Sequence, residues 1–165
     1  MVAQSAPSRD QFVVHFHDES RVSELRKRAE DLGSLEVIQG PEEFWVLRLK
    51  QPEAEPRAAW ESVRKALGGD WTVDPVFLDE QGRPHYPTGR IQVRFIVPPR
   101  PAQLKQFAKL HRLEVCARNQ YVPAQAVFQP QAKARNYLPD LLEEIQSAET
   151  VQAAWPDTVS AYKRI

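Results

Sequence analysis

Four histidines are the side chains in this sequence that could most readily hold a metal ion. They stand at positions 15, 17, 85 and 111. His15 and His17 are two residues apart in a predicted strand, so both rings would point to the same face of a sheet. A zinc site needs further ligands, and no cysteine or additional histidine lies near them in the sequence. We therefore expect solvated or half-buried histidines and no bound metal.

Other catalytic signatures are not found in the sequence. It contains no G-x-S-x-G, no P-loop and no G-x-G-x-x-G. Its serines, histidines and aspartates show no spacing that selects a triad, which is defined by geometry. Its one cysteine, Cys116, lies in a predicted strand, where we expect a buried structural thiol. We expect no enzymatic activity and no cofactor.

Charge and composition narrow the class of partner. The chain has 165 residues with 22 basic and 22 acidic side chains, and 42% of its residues are hydrophobic. Nucleic-acid-binding proteins usually have a basic surplus, so we expect no nucleic-acid partner.

No stretch approaches the roughly 20 apolar residues that span a bilayer, and residues 1–10 have no apolar signal-peptide core. We expect no membrane partner. Localisation stays open, with the cytoplasm as the default.

Apolar residues follow strand and helix periodicities along the chain. Val22, Leu25, Ala29 and Leu32, for example, recur at helical spacing before a glycine. The predicted strands are residues 12–16, 35–38, 44–49, 71–78, 91–97, 113–117, 121–128 and a last one from 151. The predicted helices are residues 22–32, 56–67, a segment after 101 and a segment around 137–145. The order strand, helix, strand, strand, helix, strand therefore occurs twice.

Similar peptides recur in the two halves. Leu35-Glu36-Val37 corresponds to Leu113-Glu114-Val115, and self-similarity of this kind indicates a structural repeat. We predict an α+β fold of two tandem ferredoxin-like β-α-β-β-α-β units, each an antiparallel four-stranded sheet with two helices on one face. The core is then expected on the helix-facing side of each sheet. The predicted boundaries are 1–10 for a flexible N-terminus, 11–79 for the first unit, 80–89 for a linker rich in proline and glycine, and 90–165 for the second unit with its C-terminal tail.

The second half carries a set of short motifs. Tyr86-Pro87-Thr88-Gly89 precedes the strand that begins at Arg90, Leu113-Glu114-Val115 follows, and the last strand ends in Ala154-Trp155-Pro156-Asp157. In these motifs the chain resembles the N-terminal propeptide domains of subtilisin-like serine proteases, which are grouped with the small propeptide-type protease inhibitors. The resemblance covers residues 88–165 best and the first half more loosely.

The resemblance implies a non-catalytic partner of a serine protease domain, in cis or in trans, or the N-terminal region of a larger protease-related protein. Such propeptides assist the folding of the protease and then inhibit it. An acid near the end of the last strand caps helix N-termini of the protease, which favour negative charge, and the matching residue here is Asp157. The tail then enters the active-site cleft as an extended strand. The matching tail residues are Ser160, Ala161, Tyr162, Lys163, Arg164 and Ile165, with Tyr162 and Ile165 as candidates for the specificity pockets.

Two other functions remain open at this point. The chain could be a tandem ferredoxin-like interaction or assembly module that recruits an unrelated effector to a larger system. It could also be a regulatory domain for a small ligand such as an amino acid. That function calls for a glycine-rich turn after the first strand of a unit, and His17-Asp18-Glu19 and Pro98-Pro99-Arg100 occupy those places. The small-ligand hypothesis is therefore the least favoured.

Overall fold

The computed structural model describes residues 5–15, 21–39, 44–68, 71–131 and 137–160, which form eight strands and four helices. None of the helices in these ranges has the length and apolarity needed to cross a bilayer. The strands are β1 Ala6–His15, β2 Leu35–Gln39, β3 Trp45–Leu49, β4 Thr72–Leu78, β5 Pro84–Phe95, β6 Leu113–Arg118, β7 Gln125–Pro130 and β8 Val151–Ser160. The helices are α1 Val22–Leu32, α2 Pro56–Leu67, α3 Pro101–Leu110 and α4 Leu138–Gln146.

The strands belong to one antiparallel sheet. Their order is β2-β3-β1-β4-β5-β7-β6, and β8 pairs with β5. The prediction of two tandem ferredoxin-like units, each with its own four-stranded sheet, is therefore wrong, although the α+β class is consistent with the structure. The pairing of β4 with β5 overturns it. Phe77 pairs with His85 and Leu78 with Pro84, so the strands of both halves form a single eight-stranded sheet.

The turn between β4 and β5 is built around the carboxylate of Asp79. Its Oδ1 accepts hydrogen bonds from the backbone N–H groups of Gln81 and Arg83, both at 2.9 Å. Its Oδ2 accepts a hydrogen bond from Arg83 Nε at 2.8 Å. Pro84 is tolerated because it is the first residue of its strand. Residues 84–89 therefore lie in β5, although their proline and glycine content predicts a linker.

The chain divides into two compact units. The N-terminal unit consists of Met1–Pro87 together with Thr158–Ile165, and the C-terminal unit consists of Thr88–Asp157. Residues 6–10, expected in a flexible N-terminus, form the start of β1. Residues 158–160 group with the N-terminal unit, whereas we expected them in the second one. Both β5 and β8 contribute residues to the two units, and periodicity along the sequence does not reveal such sharing.

In the N-terminal unit, each helix buries one apolar stripe. Helix α1 buries Leu25 and Ala29. Helix α2 buries Trp60 and Val63, and the indole N–H of Trp60 donates a hydrogen bond of 2.9 Å to the carbonyl of Val73 in β4. The spacing of these residues by three and four positions is the helical periodicity from which both helices were predicted.

The N-terminal unit also has a buried cluster whose buried members, among the described residues, lie in strands. Val13, Val46, Val76 and Tyr86 form it, and the partly buried Ile38 and Phe44 pack against it. Three consecutive residues of β1, Phe12, Val13 and Val14, are buried. Because successive side chains of a strand point to opposite faces, both faces of β1 are covered. The expectation of a core on the helix-facing side alone is therefore incomplete for this unit.

In the C-terminal unit, three phenylalanines join α3 to the sheet. The Phe107 ring of α3 lies edge-on to the Phe95 ring of β5, with 5.0 Å between centroids. Its centroid lies 5.5 Å from that of Phe128 in β7. Because strand side chains alternate between faces, Gln92 and Arg94 of β5 point to the face opposite α3. Helix α4 buries Leu138, Leu142 and Ile145.

Candidate functional site

The face of the C-terminal unit opposite α3 carries a set of linked polar side chains. Arg94 of β5 pairs with Gln125 of β7, two positions from the pairing of Gln92 with Val127. The spacing of two places Gln92 and Arg94 on the same side of β5. We call this surface the polar face and define it by Thr88, Gln92, Arg94, Gln125, Trp155 and Asp157.

The carboxylate of Asp157 is held from two sides on the polar face. The hydroxyl of Thr88 donates a hydrogen bond of 2.9 Å to Oδ2 of Asp157. The side-chain amide of Gln92 donates a hydrogen bond of 3.4 Å to Oδ1. Asp157 is half-buried. An ionised carboxylate offers about four acceptor positions, so two hydrogen bonds orient the group and leave it able to accept more.

The hydrogen bonding continues from Gln92 across the strands. Gln125 Nε2 donates to Oε1 of Gln92 at 3.1 Å. Arg94 Nη2 in turn donates to Oε1 of Gln125 at 3.2 Å. The guanidinium carbon of Arg94 also lies 5.8 Å from the centroid of the Trp155 ring, within the range of a cation–π contact. Arg94 and Asp157 are thus connected through two glutamine side chains.

The tail suggested by the resemblance lies almost entirely outside the described residues. Ser160 is the final residue of β8 and is partly buried. Ala161, Tyr162, Lys163, Arg164 and Ile165 are beyond the described ranges. The structure therefore places Asp157 among defined neighbours and leaves the role of the tail as a prediction.

Three of the four histidines lie beside one carboxylate each. The pairs are His15 with Asp74 at 2.8 Å, His85 with Asp79 at 3.1 Å and His111 with Glu144 at 3.8 Å. His17 is outside the described residues, so the pairing of His15 and His17 on one face stays untested. In the part of the chain that the structure describes, no three His, Cys, Asp or Glu side chains are grouped so that they could hold a metal ion.

Cys116 differs from its predicted environment. We expected a buried thiol, whereas the cysteine is exposed, so this prediction is wrong. It lies in β6, which ends the strand order opposite β2, and residues 114–118 of that strand are all exposed. The pairing with β7 also shifts between Val115 and Ala117, and this irregularity takes Cys116 out of register.

The sequence reasoning missed Thr88, Gln92, Arg94 and Gln125 as members of the site. A signal for two of them was present, because Arg90, Gln92 and Arg94 alternate with Ile91, Val93 and Phe95. That alternation predicts a strand with one polar face. It does not predict which polar residues of other strands lie beside it, since the register between strands is not visible in one strand. The proline and glycine content of residues 80–89 predicts a linker that includes Thr88.

Comparison of the chain with protein-family models, with curated proteins and with solved structures gives no significant match.

Proposed function

We propose that this chain is a non-catalytic, propeptide-like module that binds a subtilisin-like serine protease domain, in cis or in trans, as an inhibitor or a folding assistant. The placement of Asp157 is the observation that supports this proposal most. Its carboxylate is oriented by Thr88 and Gln92 on the polar face, three positions before Ser160 at the end of β8. This is the position at which the resemblance calls for an acid that contacts the protease.

A fixed carboxylate is chemically suited to the N-terminus of a helix. The first N–H groups of a helix have no partner within the helix, and the helix dipole favours negative charge there. An acid that is already oriented loses little conformational freedom on binding, which favours affinity. Asp157 meets this requirement because donors hold both of its oxygens.

The extended backbone at the end of β8 supports a role for the residues that follow it. β8 is a strand through Ser160, the last described residue. Insertion of a segment into a protease cleft by β-augmentation requires extended backbone. We propose that Ser160 to Ile165 form this substrate-like segment, with Tyr162 and Ile165 in the specificity pockets.

An inhibition assay tests the proposal. The full chain is titrated into a panel of bacterial subtilisins and, in parallel, into trypsin, which has the same triad on an unrelated fold. We expect inhibition of at least one subtilisin and no inhibition of trypsin. Removal of residues 162–165 should raise the inhibition constant by about tenfold or more, because a few anchor residues supply most of the affinity of an interface.

Removal of residues 1–4 is the matched control, because it deletes the same number of residues from the other end of the chain. It should leave the inhibition constant unchanged. No inhibition of any subtilisin contradicts the proposal. Equal inhibition by the two truncated chains contradicts the role of the tail.

A second candidate function is an interaction module that recruits an effector unrelated to proteases. Exposed apolar residues at one end of the C-terminal unit favour it, since Ile96, Val97 and Tyr121 are 63%, 70% and 92% exposed. Arg118 joins the two loops that carry them through a hydrogen bond of 3.2 Å to the carbonyl of Pro123 and one of 2.6 Å to that of Pro99. Exposed apolar patches often mark binding surfaces. Binding of a non-protease partner that is lost in V97S/Y121S, together with inert subtilisin assays, would support this candidate.

A further inference from the structure

We infer that Gln92 and Gln125 are positioning residues for Asp157. They form a directional hydrogen-bond chain that runs from Arg94 to Asp157 and fixes the orientation of the Asp157 carboxylate. The inference rests on the proposed function, because it assigns the two glutamines a role in the contact that Asp157 makes with the protease. It extends that function to residues on β5 and β7 that the resemblance does not identify.

The direction of the chain follows from its two ends. The guanidinium of Arg94 can only donate hydrogen bonds, and the ionised carboxylate of Asp157 can only accept them. Each glutamine amide between them has one donor end and one acceptor end. The arrangement that satisfies every contact has both amide oxygens toward Arg94 and both NH₂ groups toward Asp157.

The distances agree with this single direction. The bond from Arg94 to Gln125 is 3.2 Å, that from Gln125 to Gln92 is 3.1 Å, and that from Gln92 to Asp157 is 3.4 Å. Reversal of the Gln125 amide would place its NH₂ against the guanidinium of Arg94 and its oxygen against the oxygen of Gln92. The amides are therefore locked by the charges at the ends, which is the kind of network in which hydrogen bonds reinforce one another.

The chain also determines what a partner must offer. Asp157 has acceptor positions left after its bonds to Thr88 and Gln92. Arg94 is exposed and has five N–H donors, of which Nη2 bonds to Gln125. The complementary surface of the protease presents N–H donors to Asp157, as a helix N-terminus does, beside a carboxylate or carbonyl oxygen for Arg94. Trp155, next to Arg94, is suited to an apolar contact between these two points.

A double-mutant cycle on subtilisin inhibition tests the positioning role. We expect Q125A to raise the inhibition constant roughly three- to tenfold in the wild-type background and less than about twofold in the D157N background, because the two residues act through one contact. Q129A is the matched control, since Gln129 is also in β7 and lies on the same side of the strand. It should behave as wild type in both backgrounds. Equal effects of Q125A and Q129A, or full additivity with D157N, would overturn the inference.

A second measurement needs no protease. In NMR spectra of the free full chain, D157A should shift the side-chain amide protons of both Gln92 and Gln125, although Gln125 bonds to Gln92 and not to Asp157. The side-chain amide protons of Gln129 serve as the control and should not shift. Unchanged Gln125 resonances would refute the directional chain whatever the protease assays show. Conversely, shifted resonances in a chain that inhibits no subtilisin would support the hydrogen-bond chain and contradict the proposed function.

Discussion

Thr88 donates a hydrogen bond of 2.9 Å from its hydroxyl to Oδ2 of Asp157. These two residues are the first and the last of the C-terminal unit, so the bond joins the start of the unit to its end. It holds the oxygen of Asp157 that Gln92 does not reach. The orientation of the proposed contact residue therefore depends on a residue 69 positions away in the sequence.

Replacement of Thr88 tests this dependence. Thr88→Val keeps the shape of the side chain and removes the donor, so we expect the inhibition constant for subtilisin to rise roughly threefold to tenfold, the range for the net contribution of a typical hydrogen bond. Thr88→Ser retains a hydroxyl and should retain most of the inhibition. Steady-state inhibition assays compare the variants. If Val and Ser at this position give the same inhibition constant, the hydroxyl has no role.

Trp60 is expected to be a main contributor to the stability of the N-terminal unit. It is 7% exposed, and its indole N–H bonds to the carbonyl of Val73. Trp60→Phe removes this bond and leaves a gap, so we expect the free energy of unfolding to fall by about 1–3 kcal/mol. Trp45→Phe is the control, because Trp45 is only partly buried. Urea denaturation measures both variants, and equal losses would argue against a special role for Trp60.

The environment of Asp79 makes the stability of the fold depend on pH in the acid range. Burial alone would raise the pKa of Asp79, but hydrogen bonds from Arg83, His85 and Gln81 hold this pKa well below its ordinary range. A carboxyl whose pKa is depressed in the folded state stabilises the fold above its unfolded pKa of about 3.9, and this contribution is lost as the pH falls below that value. We therefore expect the urea midpoint to decrease as the pH falls from about 4 toward 2, and to decrease less in Asp79→Asn.

The neighbouring exposed acid provides the control for this experiment. Glu80 adjoins Asp79 and is exposed. Glu80→Gln should keep the wild-type change of the urea midpoint with pH. The same change in Asp79→Asn as in the wild type would show that the hydrogen bonds in the β4–β5 turn do not control the acid response.

Cys116 should react as a free surface thiol. The cysteine is exposed, so we expect the native chain to react with a thiol reagent such as DTNB about as fast as the unfolded chain does. Cys116→Ser should change the free energy of unfolding by no more than about 0.5 kcal/mol, as surface substitutions do. Labelling that requires denaturant would contradict the exposed position of this residue.

Periodicity in the sequence predicted the secondary structure well and the sheet poorly. The spacing of Leu25 and Ala29 predicted α1, because buried helical residues recur every three or four positions. The pairing of β4 with β5 was not predicted, because Pro84 and Pro87 read as linker residues while they lie in a strand. The hydrogen bonds of Asp79 close the turn between these strands. Turn-forming residues alone do not indicate whether the chain continues as a linker or as a strand.

The candidate site was only partly accessible to sequence reasoning. Asp157 was identified because it stands at a definite place in a motif. Gln92 and Gln125 were not, because they lie on different strands and meet only in the register that pairs Arg94 with Gln125. Strand register is set by which side chains a sheet buries. Here Phe95 and Phe128 pack against Phe107 of α3, and a single sequence does not display this packing. The sequence therefore shows which side chains could form hydrogen bonds, but it does not show which of them lie next to one another in the fold.

The most direct test of the proposed function compares the full chain with its Asp157→Asn variant as inhibitors of a bacterial subtilisin. Glu149→Gln, at an exposed carboxylate elsewhere in the same unit, is the charge-matched control. We predict that the wild type and Glu149→Gln inhibit with the same constant, and that Asp157→Asn inhibits at least roughly tenfold more weakly, the lower end of the range for a hydrogen bond to a charged group. Equal inhibition constants for all three chains, or no inhibition by the wild type, would contradict the role of Asp157 as the contact to the protease.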